Sequence, residues 1–152
     1  MSTPDSSPAP AAATPAALGW RLLAMLYDAF AVLAIWLATS AAALTLRGNV
    51  PLAPLSPGQW GLFAACWFVA GVYFVWSWRR GGQTLGMRPW RLRILTHEGG
   101  APSLRALWTR YAIATLSLLA GGLGFLWSLF ERERRSWHDL ASGTILLRLP
   151  KR

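Results

Sequence analysis

Three long apolar runs constrain this chain more than any other feature: Leu22 to Leu46, Gln59 to Trp78 and Tyr111 to Phe130. The second and third hold no charged residue, and each reaches the roughly 20 residues needed to cross about 30 Å of hydrocarbon. The first holds a single charge, Asp28. A carboxylate at that depth costs about 2.5–3.5 kcal/mol, so the fold must supply something that offsets it. Only 14% of the residues are charged and ten are Trp, against about 25% charged in soluble domains. The expectation is an all-α membrane protein with two to four transmembrane or re-entrant helices.

Around these runs the chain divides simply. Residues 1–19 are rich in Pro, Ala and Ser, a composition that cannot bury enough surface to order itself, and are expected to form a flexible tail. Residues 20–149 form one membrane domain, and 150–152 a short basic end. The run before Ala38–Ala41 is too long for a signal-peptide core, so cleavage there is not expected. Trp20, Trp60, Trp76, Trp78, Trp108 and Trp127 fall near run ends, where an indole buries its ring and keeps its N–H wet.

Basic residues set the orientation. Arg79, Arg80, Arg88, Arg91, Arg93 and Arg105 lie between the second and third runs, which puts that loop in the cytoplasm by the positive-inside rule and the amino terminus with it. Arg132, Arg134, Arg135, Arg148, Lys151 and Arg152 make the carboxyl end equally basic. A single crossing by the third run would place them outside. Gly121-Gly122-Leu123-Gly124 in mid-run permits a sharp turn, so a re-entrant hairpin competes with a plain third span, in which the glycines would be a packing face. Trp90–Leu95 and Thr144–Leu149 are β-prone, and they could pair if both lie on one side. Ser103 is placed as a helix N-cap.

Arg21 and Asp28, the stretch Gly82-Gln83-Thr84-Leu85-Gly86-Met87-Arg88 with the Arg-Leu-Arg-Ile strand after it, and His138-Asp139-Leu140-Ala141-Ser142-Gly143-Thr144 together resemble the RDD family of small bacterial membrane proteins. The resemblance covers about residues 16–149. It implies that Arg21, Asp28 and Asp139 are the arginine and two aspartates that name the family. It also implies a bacterial inner-membrane location and a role in transport, cation/proton antiport in some members.

Arg21 and Asp28 share a helix face but differ by about 10 Å along its axis, and helical side chains lean toward the amino end, so Arg21 points away from Asp28. Asp28 is therefore expected to meet an arginine from another segment. Arg110 is the best placed by depth, with Tyr27 or Tyr111 as hydrogen-bonding neighbours. Asp139 is expected to anchor its helical turn through Arg88 or another loop arginine. His138 beside it is a pH-sensitive candidate.

Several functions find no support in the sequence. Two His and one Cys, with Cys66 inside the second run, do not make a zinc site. Ser136, His138 and Asp139 are too close in sequence to converge as a triad, and Gly81–Thr84 lacks the spacing and lysine of a phosphate loop. No enzyme and no cofactor are expected. The net charge of +9 is interleaved with Trp and Leu, which favours anionic lipid headgroups over nucleic acid as the partner. Two functions from different classes remain. One is a small cation or proton transporter, which must form a homo-oligomer or join another membrane protein to enclose a path. The other is a non-catalytic assembly or anchoring module whose Arg and Asp residues lock helix packing.

Overall fold

The computed structural model describes residues 13–150. Its elements in chain order are β1 (Thr14–Pro15), α1 (Leu18–Leu46), α2 (Pro57–Gly81), β2 (Leu92–Thr96), α3 (Leu104–Leu119), α4 (Leu123–Leu126), a 3₁₀ turn at Trp127–Leu129, α5 (Trp137–Ser142) and β3 (Thr144–Arg148). Among the described residues two helices, α1 and α2, are long and apolar enough to cross a membrane, and α3 with the segment Leu123–Leu129 passes the same test as a bent pair. The fold is that of a helical membrane protein carrying one small sheet.

The helices are inside out relative to a soluble bundle. Leu26, Phe30, Leu33 and Leu37 follow helical spacing along α1 and all are exposed, a face suited to lipid. The buried residues of the same helix are Arg21, Ala24 and Asp28, also at helical spacing. Local signals fix the ends of α2: the Ser56 hydroxyl accepts from the Gln59 N–H at 3.3 Å, Pro57 opens the first turn, and Gly82 at φ 68° closes the last.

The sheet decides how the segments are arranged. Its order is β1-β3-β2, all antiparallel, with Leu92 opposite Arg148 and Thr96 opposite Thr144. The two β-prone pieces therefore do pair. Leu92, Ile94 and Leu146 join Ala24, Val75, Leu107 and Tyr111 in the apolar core. Because β3 pairs with both β1 and β2, the entry to α1, the exit from α2 and the chain after α5 all meet at one end of the molecule. The 47–56 connection lies at the other end.

That pairing also separates the two alternatives for the third run. The chain turns by 107° between α3 and Leu123–Leu129, at Gly121 and Gly122, whose φ values of 71° and 82° are disfavoured for residues with a Cβ. It then returns to the end from which α3 started, as a hairpin does. The tail boundary differs from expectation. Thr14 and Pro15 form the sheet's edge strand, Ala16 is buried, and the Ala16 N–H donates to the Leu146 carbonyl at 2.9 Å. The small side chains that suggested disorder are those that fit against a neighbouring strand. Residues 1–12 and 151–152 lie outside the described residues.

Candidate functional site

The two aspartates that the sequence singled out stand in opposite environments. Asp139 is fully buried at the start of α5, where the Ser136 N–H donates to its Oδ2 at 2.9 Å and the Ser136 side chain caps the helix in return. Arg21 Nη1 donates to the same Oδ2 at 2.6 Å, and Arg110 Nη1 donates to Oδ1. One carboxylate thus answers two buried arginines.

Both arginines are further held. Arg21 donates from Nε to the Ala16 carbonyl at 3.1 Å, from Nη1 to the Ser136 hydroxyl at 3.0 Å and from Nη2 to the Arg134 carbonyl at 2.8 Å. Arg110 donates to the Thr144 hydroxyl at 2.7 Å, and its guanidinium lies 5.6 Å from the Trp78 ring centre. This planar fan of donors ties β1, α1, α3, α5 and β3 together, a task that suits a guanidinium better than an ammonium. Burial alone would raise the Asp139 pKa, but the charges of Arg110 and Arg21 and the Ser136 N–H hold it well below the usual carboxylate range. Burial, reinforced by the Arg110 charge, lowers His138 to about 3. His138 is therefore neutral near pH 7. It packs against the Phe125 ring at 4.7 Å, and its Nδ1 is buried without a partner among the described residues.

Among the described residues, Asp28 receives no arginine. Its Oδ1 accepts from the Tyr73 hydroxyl at 3.1 Å and from the Gly86 N–H at 2.9 Å, and its Oδ2 accepts from the Thr84 hydroxyl. The expected Asp28–Arg110 contact is absent, because α5 carries Asp139 to the depth of Arg110 and satisfies it there. Tyr27 and Tyr111 are not its neighbours either. Tyr27 packs edge-on to Trp90, and the Tyr111 hydroxyl donates to the Trp67 carbonyl at 2.8 Å. Arg88, expected to reach Asp139, is exposed and makes no ion pair among the described residues.

The glycine-rich stretch after α2 is built to grip Asp28. Gly82 ends the helix, Gln83 Nε2 donates to the Leu92 carbonyl at 2.6 Å, Thr84 turns its hydroxyl inward, and Met87 fills the core. Gly86 approaches α1 so closely that a Cβ would collide with the Ala24 carbonyl and the Asp28 backbone. Tyr73, Thr84, Gly86, Ser136 and Thr144 were not singled out as site residues from sequence. The Ser136-x-x-Asp139 spacing of a capping box was legible there, and Tyr73 is a hydroxyl within a charge-free run.

A cleft of about 510 Å³ opens between α1 and α3 over α2. Its polar floor is Asp28, Thr84, Arg21, Arg110 and His138, and walls such as Val32, Trp36, Trp67 and Leu118 are apolar. With His138 neutral, the guanidiniums of Arg21 and Arg110 outnumber the single carboxylate of Asp139 that pairs with them, and the Asp28 carboxyl lines the same cleft.

Apolar helices exposed on their outer faces and an ionic core closed by a small sheet define a small integral membrane protein. The family model described as "RDD family" matches residues 15–143, and the chain belongs to that family. No curated protein and no solved structure matches it.

Proposed function

We propose that this protein moves a cation or proton across the bacterial inner membrane, with Asp28 as the ionisable group, and that it does so as an oligomer or with a membrane-protein partner. The observation that carries this reading is the contrast between the carboxylates. Asp139 is consumed by two arginines, whereas Asp28 is buried with no basic partner among the described residues and lines an open cleft. An anion held only by neutral donors is the one expected to take up a cation or proton. Two spans and a bent third cannot enclose a water-filled path alone, hence the oligomer. The same reading assigns no enzymatic role and no cofactor. It puts the sheet and the amino terminus on the cytoplasmic side, where Arg79, Arg80 and Arg88 face anionic headgroups. A reporter fused after Arg152 tests that orientation.

A second reading, a non-catalytic assembly or anchoring module, draws on the fact that two of the three donors to Asp28 come from one loop, Thr84 and Gly86. Those bonds alone would fix the loop to α1. Ion flux into vesicles containing the purified protein separates the two: wild type above empty vesicles and Asp28→Asn at their level supports transport. Equal flux in all three leaves the module.

A further inference from the structure

A second cavity of about 370 Å³ lies at the sheet end of α1, apart from Asp28. Ala17 and Trp20 form one wall, and Arg132 and Arg134 from the turn before α5, with Arg148 from the end of β3, form the rest with the edge strand β1. Among the described residues, no acidic side chain lines it. The nearest acids in sequence are already engaged, since Arg135 holds Glu131 at 3.0 Å and Glu133 at 3.2 Å. Among the described residues the three arginines make no ion pair, and Arg148 Nε is buried without an acceptor.

Their convergence is built into the fold. Arg148 ends β3 with its guanidinium 4.0 Å from the Trp20 ring centre. Arg134 sits at φ 56°, a left-handed backbone unusual for a residue with a Cβ, while its carbonyl accepts from Arg21. The arginine lock thus fixes the turn that presents Arg134. Helix α1 follows Ala17, an N-cap residue with no side-chain hydrogen bond to its first turn, so the free N–H groups there add partial positive charge nearby. Three like charges in one cavity repel one another until an anion joins them, and guanidinium forks match phosphate oxygens.

The rims indicate which kind of phosphate. Leu22 and Leu23 follow Trp20 on one side, and Leu129 and Phe130 precede Arg132 on the other, all exposed. We propose that this cavity binds the headgroup phosphate of an anionic phospholipid, whose acyl chains lie along Leu22 and Phe130. Its volume falls within the usual range of small-ligand sites.

The full chain in detergent micelles, titrated with dioleoylphosphatidylglycerol or dioleoylphosphatidylcholine and observed by native mass spectrometry, tests this. Wild type should retain one phosphatidylglycerol with a preference of about tenfold or more, given what each basic residue contributes near a membrane surface. Arg132→Gln with Arg134→Gln leaves the Arg148–Trp20 stack in place and should bring that preference close to unity. Arg93→Gln with Arg105→Gln removes the same charge at exposed positions outside the cavity and should leave the preference unchanged. Arg132→Gln alone, at an exposed side chain with no hydrogen bond among the described residues, should lose about fivefold and serves if the double variant does not fold. Equal losses in the two glutamine pairs, no preference in wild type, or displacement of the lipid by millimolar inorganic phosphate would each overturn the proposal.

Discussion

Replacing Gly86 with alanine tests the grip on Asp28 at its tightest point. A Cβ there would lie 2.8 Å from the Asp28 carboxyl carbon and 2.9 Å from its backbone nitrogen, and would also press on the Ala24 carbonyl. Two of these three atoms are backbone of α1, so relief requires moving either that helix or the 82–88 loop. Overpacking of this kind costs about 1–3 kcal/mol. If the loop backs away, the Gly86 N–H no longer reaches a charged acceptor, and such a bond contributes about 1.5–3 kcal/mol. Together the loss should be about 3–5 kcal/mol, a large share of the roughly 5–15 kcal/mol by which a domain is stable. Gly81→Ala is the control, because nothing lies within 4 Å of its added Cβ. Its effect should be small or slightly stabilising. Reversible unfolding by dodecyl sulfate, read by the fluorescence of the ten Trp, measures both variants. If Gly86→Ala unfolds with Gly81→Ala, the close approach of loop and helix is not as described.

Other outcomes follow from the lock. Asp139→Asn keeps the side-chain shape but strips the counter-charge from two buried arginines, and should cost about 3–5 kcal/mol in the same unfolding assay; a loss below about 0.5 kcal/mol would show that the arginines are solvated. Arg21→Lys retains the charge yet cannot reach Ala16, Ser136, Asp139 and Arg134 together, so about 1–3 kcal/mol should be lost, and wild-type stability would contradict the fan geometry. For pH, His138 titrates at about 3 in the fold against 6.5 when free. Below 6.5 the unfolded chain takes up a proton that the folded one refuses, so stability falls with pH from there down to about 3, by about 2 kcal/mol at pH 5. The depressed Asp139 pKa adds its own loss only below the ordinary carboxylate range. His138→Phe should flatten the profile between pH 7 and 5; an unchanged slope would mean that another group carries it.

How much of this was legible depended on whether the signal was local. Apolar runs marked α1 and α2 because length and lack of charge are properties of one segment. Gly121 and Gly122 marked the bend, and the β-prone pieces read at Trp90–Leu95 and Thr144–Leu149 pair as the strands Leu92–Thr96 and Thr144–Arg148. The geometry of a single helix also showed that Arg21 turns away from Asp28. What failed was the choice between partners across the chain. Depth along α3 made Arg110 the choice for Asp28 and left Asp139 to Arg88 or another loop arginine, whereas the packing of α5 on α3 brings Asp139 to Arg110. The assumption that a buried carboxylate needs an arginine also hid the alternative. Two hydroxyls and one N–H satisfy Asp28, and the N–H becomes available only because Gly86 has no side chain to hold it off. Residues 13–19 misled for a related reason: small residues read as disorder in isolation are also those that can add a strand to an existing edge.

Pairwise coupling at Arg110 tests the separation of the two carboxylates most directly. In double-mutant cycles on unfolding stability with Arg110→Gln, the cycle with Asp139→Asn should give a coupling of about 1.5 kcal/mol or more, as close buried charge pairs do. The cycle with Asp28→Asn should give less than about 0.5 kcal/mol. The reverse order, strong coupling to Asp28 and none to Asp139, would contradict the assignment of Asp139 to the lock and of Asp28 to the open cleft.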